Sequence, residues 1–347
     1  MAETGVVTAE RRAAPGPALA RLARLTFVRL GVLPLLLLIL VIGFGIAEPR
    51  FLSGQNIFNV ARQSTYLTIV AMAQMLALLT GGFDLSVGVI LAVTSVVSAY
   101  VMAAVVAGNA SAVGLAITLG ILAGLGAGTA MGVANGFGIA ALNVSPFMMT
   151  LAMASIGFGL ALSMTGGVPV YGMPSQFGAT LGFGKLLGVP VPVYVTVVVI
   201  LGMYVLLNWT RIGRYFYAIG GNIKASALSG ISTRSYLFLA YVLCGFLASL
   251  GGVMLTARLE TGEANIGAAM PLRSIAACVI GGVSLRGGTG RLGSVVLAAV
   301  FIEWFENGMN LVRIQSYLQM VVLGVLLIFA VVMDEVRHRY IAKLRED

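Results

Sequence analysis

Charge is what this sequence has least of. Lys, Arg, Asp and Glu together make up 10% of its 347 residues, against about 25% in a soluble globular chain. With 59% hydrophobic residues there is too little polar surface to cover a soluble domain of any size, and the chain reads as an integral membrane protein. Histidine is nearly absent: the one His, His338, stands in a basic C-terminal tail, which removes His-based catalysis and most transition-metal sites. Cysteine is almost as scarce. Cys244 and Cys278 lie in apolar surroundings, so no disulfide framework is indicated and both read as inert buried thiols. No GxxxxGK[ST] occurs, so the chain does not itself cradle nucleotide phosphates in the P-loop manner. Gly288, Gly290 and Gly293 match GxGxxG by spacing, but no predicted strand precedes them and an apolar run follows, which is the wrong context for a dinucleotide. With no metal-ligand cluster and no nucleophile beside a base, an enzyme is not expected. The excess of 21 Lys and Arg over 12 Asp and Glu is dispersed at the ends of apolar runs, without the basic and aromatic patch that nucleic acid needs.

What is there is a series of apolar runs of roughly 20 residues, the length that crosses a hydrocarbon core of about 30 Å. Ten spans are expected, at about 30–47, 57–80, 85–107, 111–133, 147–165, 190–209, 235–257, 264–283, 292–311 and 317–333. The predicted fold is therefore all-α: a polytopic membrane helix bundle, one transmembrane domain over 30–333 with tails at 1–29 and 334–347. An even number of spans puts both termini on one side. That side then receives fifteen of the 21 Lys and Arg, against six on the other, namely Arg50, Arg62, Lys185, Arg258, Arg273 and Arg313. The positive-inside bias makes both termini cytoplasmic, and with them the polar segment 211–234. Arg11, Arg12, Arg21, Arg24 and Arg29 precede an apolar run without a small-residue cleavage site, so the N-terminal tail reads as uncleaved.

Two features of the spans bear on function. Thr261 to Ser274 is polar and contains Pro271, so a helix broken near 261–283 is expected, and broken helices are tolerated in membranes only against protein or a water-filled cavity. In the fourth span Gly120, Gly124, Gly128, Gly132 and Gly136 recur every fourth residue. Each step of four advances about 400° around a helix, so the glycines form one slowly winding stripe on which a neighbouring helix can approach closely. With 45 glycines the bundle is expected to be tightly packed and able to rock.

Three polar constellations stand out. In GGFDLSVG, Gly81 to Gly88, Gly81 and Gly82 let the chain turn and Asp84 is placed to cap the next helix. Glu303, Glu306, Asn307 and Asn310 fall along one face of the ninth span by offsets of three, four and seven. Carboxylates in a span are costly and usually face a cavity or a partner, so this face either lines the outer part of a hydrophilic path or sits near the outer surface, solvated or paired with Arg273 or Arg313. The loop Thr165 to Pro192 is either an outer docking surface or re-entrant structure. The third constellation is Gly213 to Ile231, GRYFYAIGGNIKASALSGI. Here Gly220 and Gly221 are expected to break the chain, Asn222 to cap a short helix over Ile223 to Ser229, and Gly230 to end it. A helix of about two turns is marginal in water, so Ile223, Lys224, Ala225, Ser226 and Ser229 must be held by the bundle or by another protein.

These residues resemble the permease subunits of bacterial ABC importers of the ribose and xylose type. The likeness covers nearly all of the chain after residue 50. It rests on GGFDLSVG, on Asn135-Gly136 with Ser145, Pro146 and Thr150, on Thr165 to Gly167, on the Gly213 to Ile231 segment, on Gly281-Gly282 with Gly287-Gly288, and on Asn307, Gly308 and Asn310. The resemblance implies an inner-membrane protein that pairs with a second permease, as homodimer or heterodimer, with a cytoplasmic ABC ATPase and with a periplasmic or lipid-anchored sugar-binding protein. No cofactor is bound by the chain itself; ATP and Mg belong to the ATPase. It also implies that Asn222 to Ile231 is the coupling helix that fits a cleft in that ATPase. The family carries acidic residues where Ile223 and Lys224 stand, a second alanine at Ser226, asparagine at Glu306 and no carboxylate at Glu303. The expected function is ATP-driven import of a monosaccharide or sugar alcohol by alternating access. The alternative is a proton-coupled secondary transporter titrating on Glu303 or Glu306.

Overall fold

The structure, a computed structural model, describes residues 33–326, 328, 331 and 332. The five N-terminal arginines, His338 and the outermost ends of the first and last expected spans lie outside the described residues. The helices of six residues or more, in chain order, are α1 (Leu33–Ala47), α2 (Gly54–Leu79), α3 (Val87–Gly108), α4 (Val113–Ala140), α5 (Pro146–Thr165), α6 (Val191–Trp209), α7 (Arg211–Gly221), α8 (Ile223–Leu228), α9 (Thr233–Leu259), α10 (Met270–Ile280), α11 (Leu292–Leu311) and α12 (Ser316–Leu326). Each of the ten expected spans carries one of these helices, with α7 and α8 between the sixth and seventh. Among the described residues six are long and apolar enough to cross a membrane: α3, α4, α5, α6, α9 and α11.

Two helices form the centre. α2 starts at Ser53, whose hydroxyl accepts the Asn56 amide at 3.3 Å, and every residue from Ser64 to Leu79 is buried. α9 is buried on most of its faces from Ala240 to Ala257. Helices in lipid gain nothing from excluding water between them, so close backbone approach must supply the contact, and the glycine stripe of α4 does this. Its lower members face α3: a Cβ on Gly120 would fall 2.9 Å from the Ser98 carbonyl oxygen. Its upper members face α9: a Cβ on Gly132 would fall 2.9 Å from the Gly245 Cα, and one on Gly136 2.8 Å from the Phe238 oxygen. The winding of the stripe is therefore what carries α4 from one neighbour to the other. α4 also runs to Ala140, seven residues beyond the expected end, because nothing in GVANGFGIA breaks it before Asn143 turns at φ 55°.

The expected break falls in the eighth span. Glu260 ends α9 at φ 56°, and 261–269 then runs without regular helix. This segment is held by protein. Gly262 and Val170 exchange backbone hydrogen bonds of 2.8 and 2.9 Å, the Glu263 amide donates to Ser95 Oγ at 3.2 Å, and Gly267 lies so close to Gly88 that either Cβ would collide. α10 has 11 residues, roughly 16 Å at 1.5 Å per residue and so about half a hydrocarbon core. The loop 165–192 folds back on the same end of the bundle. It contains a two-stranded hairpin, β1 (Lys185–Leu186) and β2 (Val189–Pro190), whose turn is made by Leu187 and Gly188 at φ 49° and 82°.

Candidate functional site

At one end of the bundle stands the α7–α8 segment. Thr210 starts α7 with its hydroxyl accepting the Gly213 amide at 3.3 Å, and Phe216 and Ile219 bury its apolar edge. The break expected at Gly220-Gly221 lies one residue later: both glycines are helical, and the extended Asn222, at φ −160°, separates α7 from α8. Asn222 Oδ1 accepts the Ala225 amide at 3.0 Å, and Gly230, at φ 81°, follows the end of α8. Gly220 serves a different purpose from a break. A Cβ on Gly220 would lie 2.9 Å from the Leu79 carbonyl carbon and closer to its oxygen, and the Gly288 amide donates to that same oxygen at 3.0 Å. Gly287 in turn packs against Gly81, and Tyr217 Oη donates to the Gly290 carbonyl at 3.0 Å. The end of α2, the end of α7 and the α10–α11 loop thus meet backbone to backbone. Beyond this junction α8 stands clear: Ser226 is buried, Lys224, Ala225, Ser229 and Gly230 are exposed, and Ile223 and Leu228 are 47% and 91% exposed.

Next to the junction is GGFDLSVG. Gly81 has φ 85° and Gly82 leaves no room for a Cβ beside Pro146. Asp84 is fully buried. Its Oδ1 accepts the Ser86 amide at 2.8 Å and the Ser86 hydroxyl at 2.6 Å, and Oδ2 accepts from Cys244 Sγ at 3.4 Å. Asn135 Nδ2 donates to the same Ser86 hydroxyl at 2.8 Å. Asp84 therefore fixes the turn into α3 and joins it to α4 and α9. Cys244 and Cys278 are both buried free thiols.

The other end of α9, a 27-residue helix of roughly 40 Å, borders a cavity of about 390 Å³. Arg273, one turn into α10, reaches across to α11 and donates from Nη2 to Glu303 Oε1 and to Glu306 Oε2, both at 2.6 Å. The three-residue spacing puts both carboxylates on the side of α11 that faces α10. Glu303 and Glu306 line the cavity with Arg273; Asn307 and Asn310 do not. Asn307 instead forms a reciprocal amide pair with Asn56 at 2.8 and 3.1 Å, and Asn310 Oδ1 accepts from Gln319 at 2.8 Å. The four polar residues of the ninth span thus divide between a cavity wall and helix–helix contacts. Gln63, Tyr66, Arg258, Glu263 and Asn265 complete the cavity's polar lining. They come from α2, the end of α9 and the broken segment, and no sequence spacing relates them; only Arg258, as a charge at the end of a span, carries a local signal.

Residues 56–331 match the family described as branched-chain amino acid transport system / permease component. The chain is 36% identical over 301 residues to the ribose import permease protein of Escherichia coli, covering 86% of this chain and 91% of that protein. It is 39% identical to the ribose import permease protein of Bacillus subtilis, covering 86% and 90%, and 35% identical to the D-allose transport system permease protein of Escherichia coli, covering 86% and 89%. No solved structure matches the chain. With six helices fit to cross a membrane and these matches along most of its length, the chain belongs to the permease components of that family and is a membrane-spanning transport subunit of an ABC importer, not an enzyme.

Proposed function

We propose that this chain is the permease through which an ATP-driven importer moves a monosaccharide or sugar alcohol across the bacterial inner membrane. The observation that carries the reading is the likeness to ribose and allose permeases over 86% of the chain. A permease of this kind works with an ATPase and a substrate-binding protein. The segment from Gly220 to Gly230 suits the ATPase contact: α8 projects with Ile223 and Leu228 in solvent, while its root is tied backbone to backbone to α2 and the α10–α11 loop. A push on α8 would be delivered to three elements at once. In this reading the termini and α8 are cytoplasmic, two permease chains pair within the lipid, and ATP and Mg are bound by the ATPase and not by this chain. The substrate passes the Glu303 and Glu306 wall. Loaded binding protein and nucleotide act by differential affinity for the inward-open and outward-open states.

The proton-coupled alternative gains no support, because the matched relatives are permease subunits of import systems. Proteoliposomes holding the permease with its ATPase and binding protein test the proposal. Uptake of ribose, allose or arabinose should require internal ATP and persist without a pH gradient. Uptake driven by a pH gradient in the absence of the ATPase would overturn it.

A further inference from the structure

The cavity beside Arg273 holds more polar chemistry than its ion pairs use. Tyr66 is 2% exposed and its hydroxyl has no hydrogen-bond partner among the described residues. The charges within reach of that side chain are Arg258, Arg62 and Glu303, and the first and last of these line the cavity. Arg273 Nε is likewise buried without a partner. Arg258 lies over the Tyr66 ring at 5.5 Å and makes no ion pair among the described residues. On the acceptor side, Glu303 and Glu306 each commit one oxygen to Arg273, which leaves Glu303 Oε2 and Glu306 Oε1 unused. Buried donors left unpaired are costly, and native structures keep few of them without an occupant or a mechanism to explain it.

The chemistry of the occupant follows from size, charge and the mix of donors and acceptors. About 390 Å³ falls in the roughly 300–1,000 Å³ range of small-molecule sites. Two arginines face three glutamates, Glu263 being the third, so the formal charge of the wall is negative and an acidic or phosphorylated ligand is opposed. A bare cation would satisfy the free carboxylate oxygens but not the hydroxyl and guanidinium donors. A polyhydroxylated molecule satisfies both, since each hydroxyl offers a proton and lone pairs. We propose that this cavity is a binding site, within a single permease chain, for a neutral polyol of monosaccharide size. Arg258 acts as a donor from the wall, binding turns Tyr66 Oη and Arg273 Nε, both closed to solvent in this structure, toward the polyol as further donors, and the free oxygens of Glu303 and Glu306 act as its acceptors. The site deepens the sugar-import reading and rests on it.

The test uses the full-length permease in lipid nanodiscs, with D-ribose, D-allose and L-arabinose as probes and D-ribose 5-phosphate and D-gluconate as charged comparators. Calorimetric titration should show saturable binding of at least one neutral sugar and none of the charged pair. Tyr66→Phe should weaken that binding about tenfold, the equivalent of one hydrogen bond, with an unliganded Tm at or above wild type because the orphan hydroxyl is gone. Arg258→Met should weaken it at least as much. Binding unchanged in both variants, equal binding of the charged comparators, or no saturable binding of any neutral sugar would overturn the site. Uptake by the complete importer, measured in parallel, separates the two levels. A sugar imported normally by both variants removes the site alone, whereas import of none of the three sugars removes the reading beneath it.

Discussion

Gly220→Ala and Gly221→Ala are adjacent substitutions of the same kind, and the structure assigns them opposite effects. At Gly221 nothing lies within 4 Å of an added Cβ, so alanine only improves helix propensity and narrows the unfolded ensemble, a gain of about 0.5–1 kcal/mol. At Gly220 the same methyl would sit 2.9 Å from the Leu79 carbonyl carbon, where carbon atoms need about 3.5–4.0 Å. The neighbour is backbone and cannot rotate away. The carbonyl oxygen is closer still, so the ends of α2 and α7 must separate by more than about 1 Å, an overpacking cost of about 1–3 kcal/mol. That movement also strains the 3.0 Å hydrogen bond from Gly288 to Leu79, worth about 0.5–1.5 kcal/mol. Against the propensity gain, the net loss is about 1–3 kcal/mol. Thermal unfolding of the purified permease in detergent reads this as a Tm lowered by several degrees, at roughly 2–4 °C per kcal/mol, with Gly221→Ala at or above wild type. A Gly220→Ala variant as stable as Gly221→Ala would refute the backbone junction and the transmission of force through it.

Four further outcomes follow from named contacts. Leucine at Gly221 and Ala225, both exposed, should leave Tm near wild type yet uncouple ATP hydrolysis from uptake; unchanged coupling would count against α8 as the ATPase contact. Gly132→Val should cost at least as much as Gly220→Ala, because its Cβ would meet the Tyr241 carbonyl oxygen at 2.7 Å, whereas Gly126→Ala, with nothing within 4 Å, should leave Tm at or above wild type in the same assay, as Gly221→Ala does. Arg273→Met strands two largely buried carboxylates and should destabilise by about 3–5 kcal/mol, while Arg273→Met with Glu303→Gln and Glu306→Gln should recover much of that loss. A double-mutant cycle on Asn56→Ala and Asn307→Ala should give a coupling of about 1 kcal/mol for their reciprocal pair; strict additivity would show that the amide pair contributes nothing.

Apolar runs separated by polar breaks locate the ten helical segments, and six of them are long and apolar enough to cross a membrane, as lipid demands. The helix break at 261–283 is equally legible, since Thr261 to Ser274 is too polar to continue a lipid-facing helix. The glycine stripe of α4 is visible as a period of four, but its two partners are not, because which helix lies opposite a smooth face depends on how the bundle closes. Gly220 and Gly221 show the limit more sharply. Glycine pairs signal a turn, yet these two are helical, and the missing side chain of Gly220 answers a carbonyl more than 140 positions earlier in the chain, while Gly221 faces open space. The polar residues of α11 divide in the same way: the period that groups Glu303, Glu306, Asn307 and Asn310 on one face gives no account of Asn56 or Gln319, which take the asparagines away.

The sequence by itself therefore determined that the chain crosses a membrane and where its apolar helical segments lie, which follow from composition and period; its place among importer permeases rests on the resemblance of contiguous motifs and on the matched relatives. The tertiary structure alone decided which backbones touch at the root of α8 and which donors and acceptors surround the cavity beside Arg273. Those facts rest on residues from about thirty to more than two hundred positions apart brought within a few ångströms, and short-range spacing carries no information about distances of that kind.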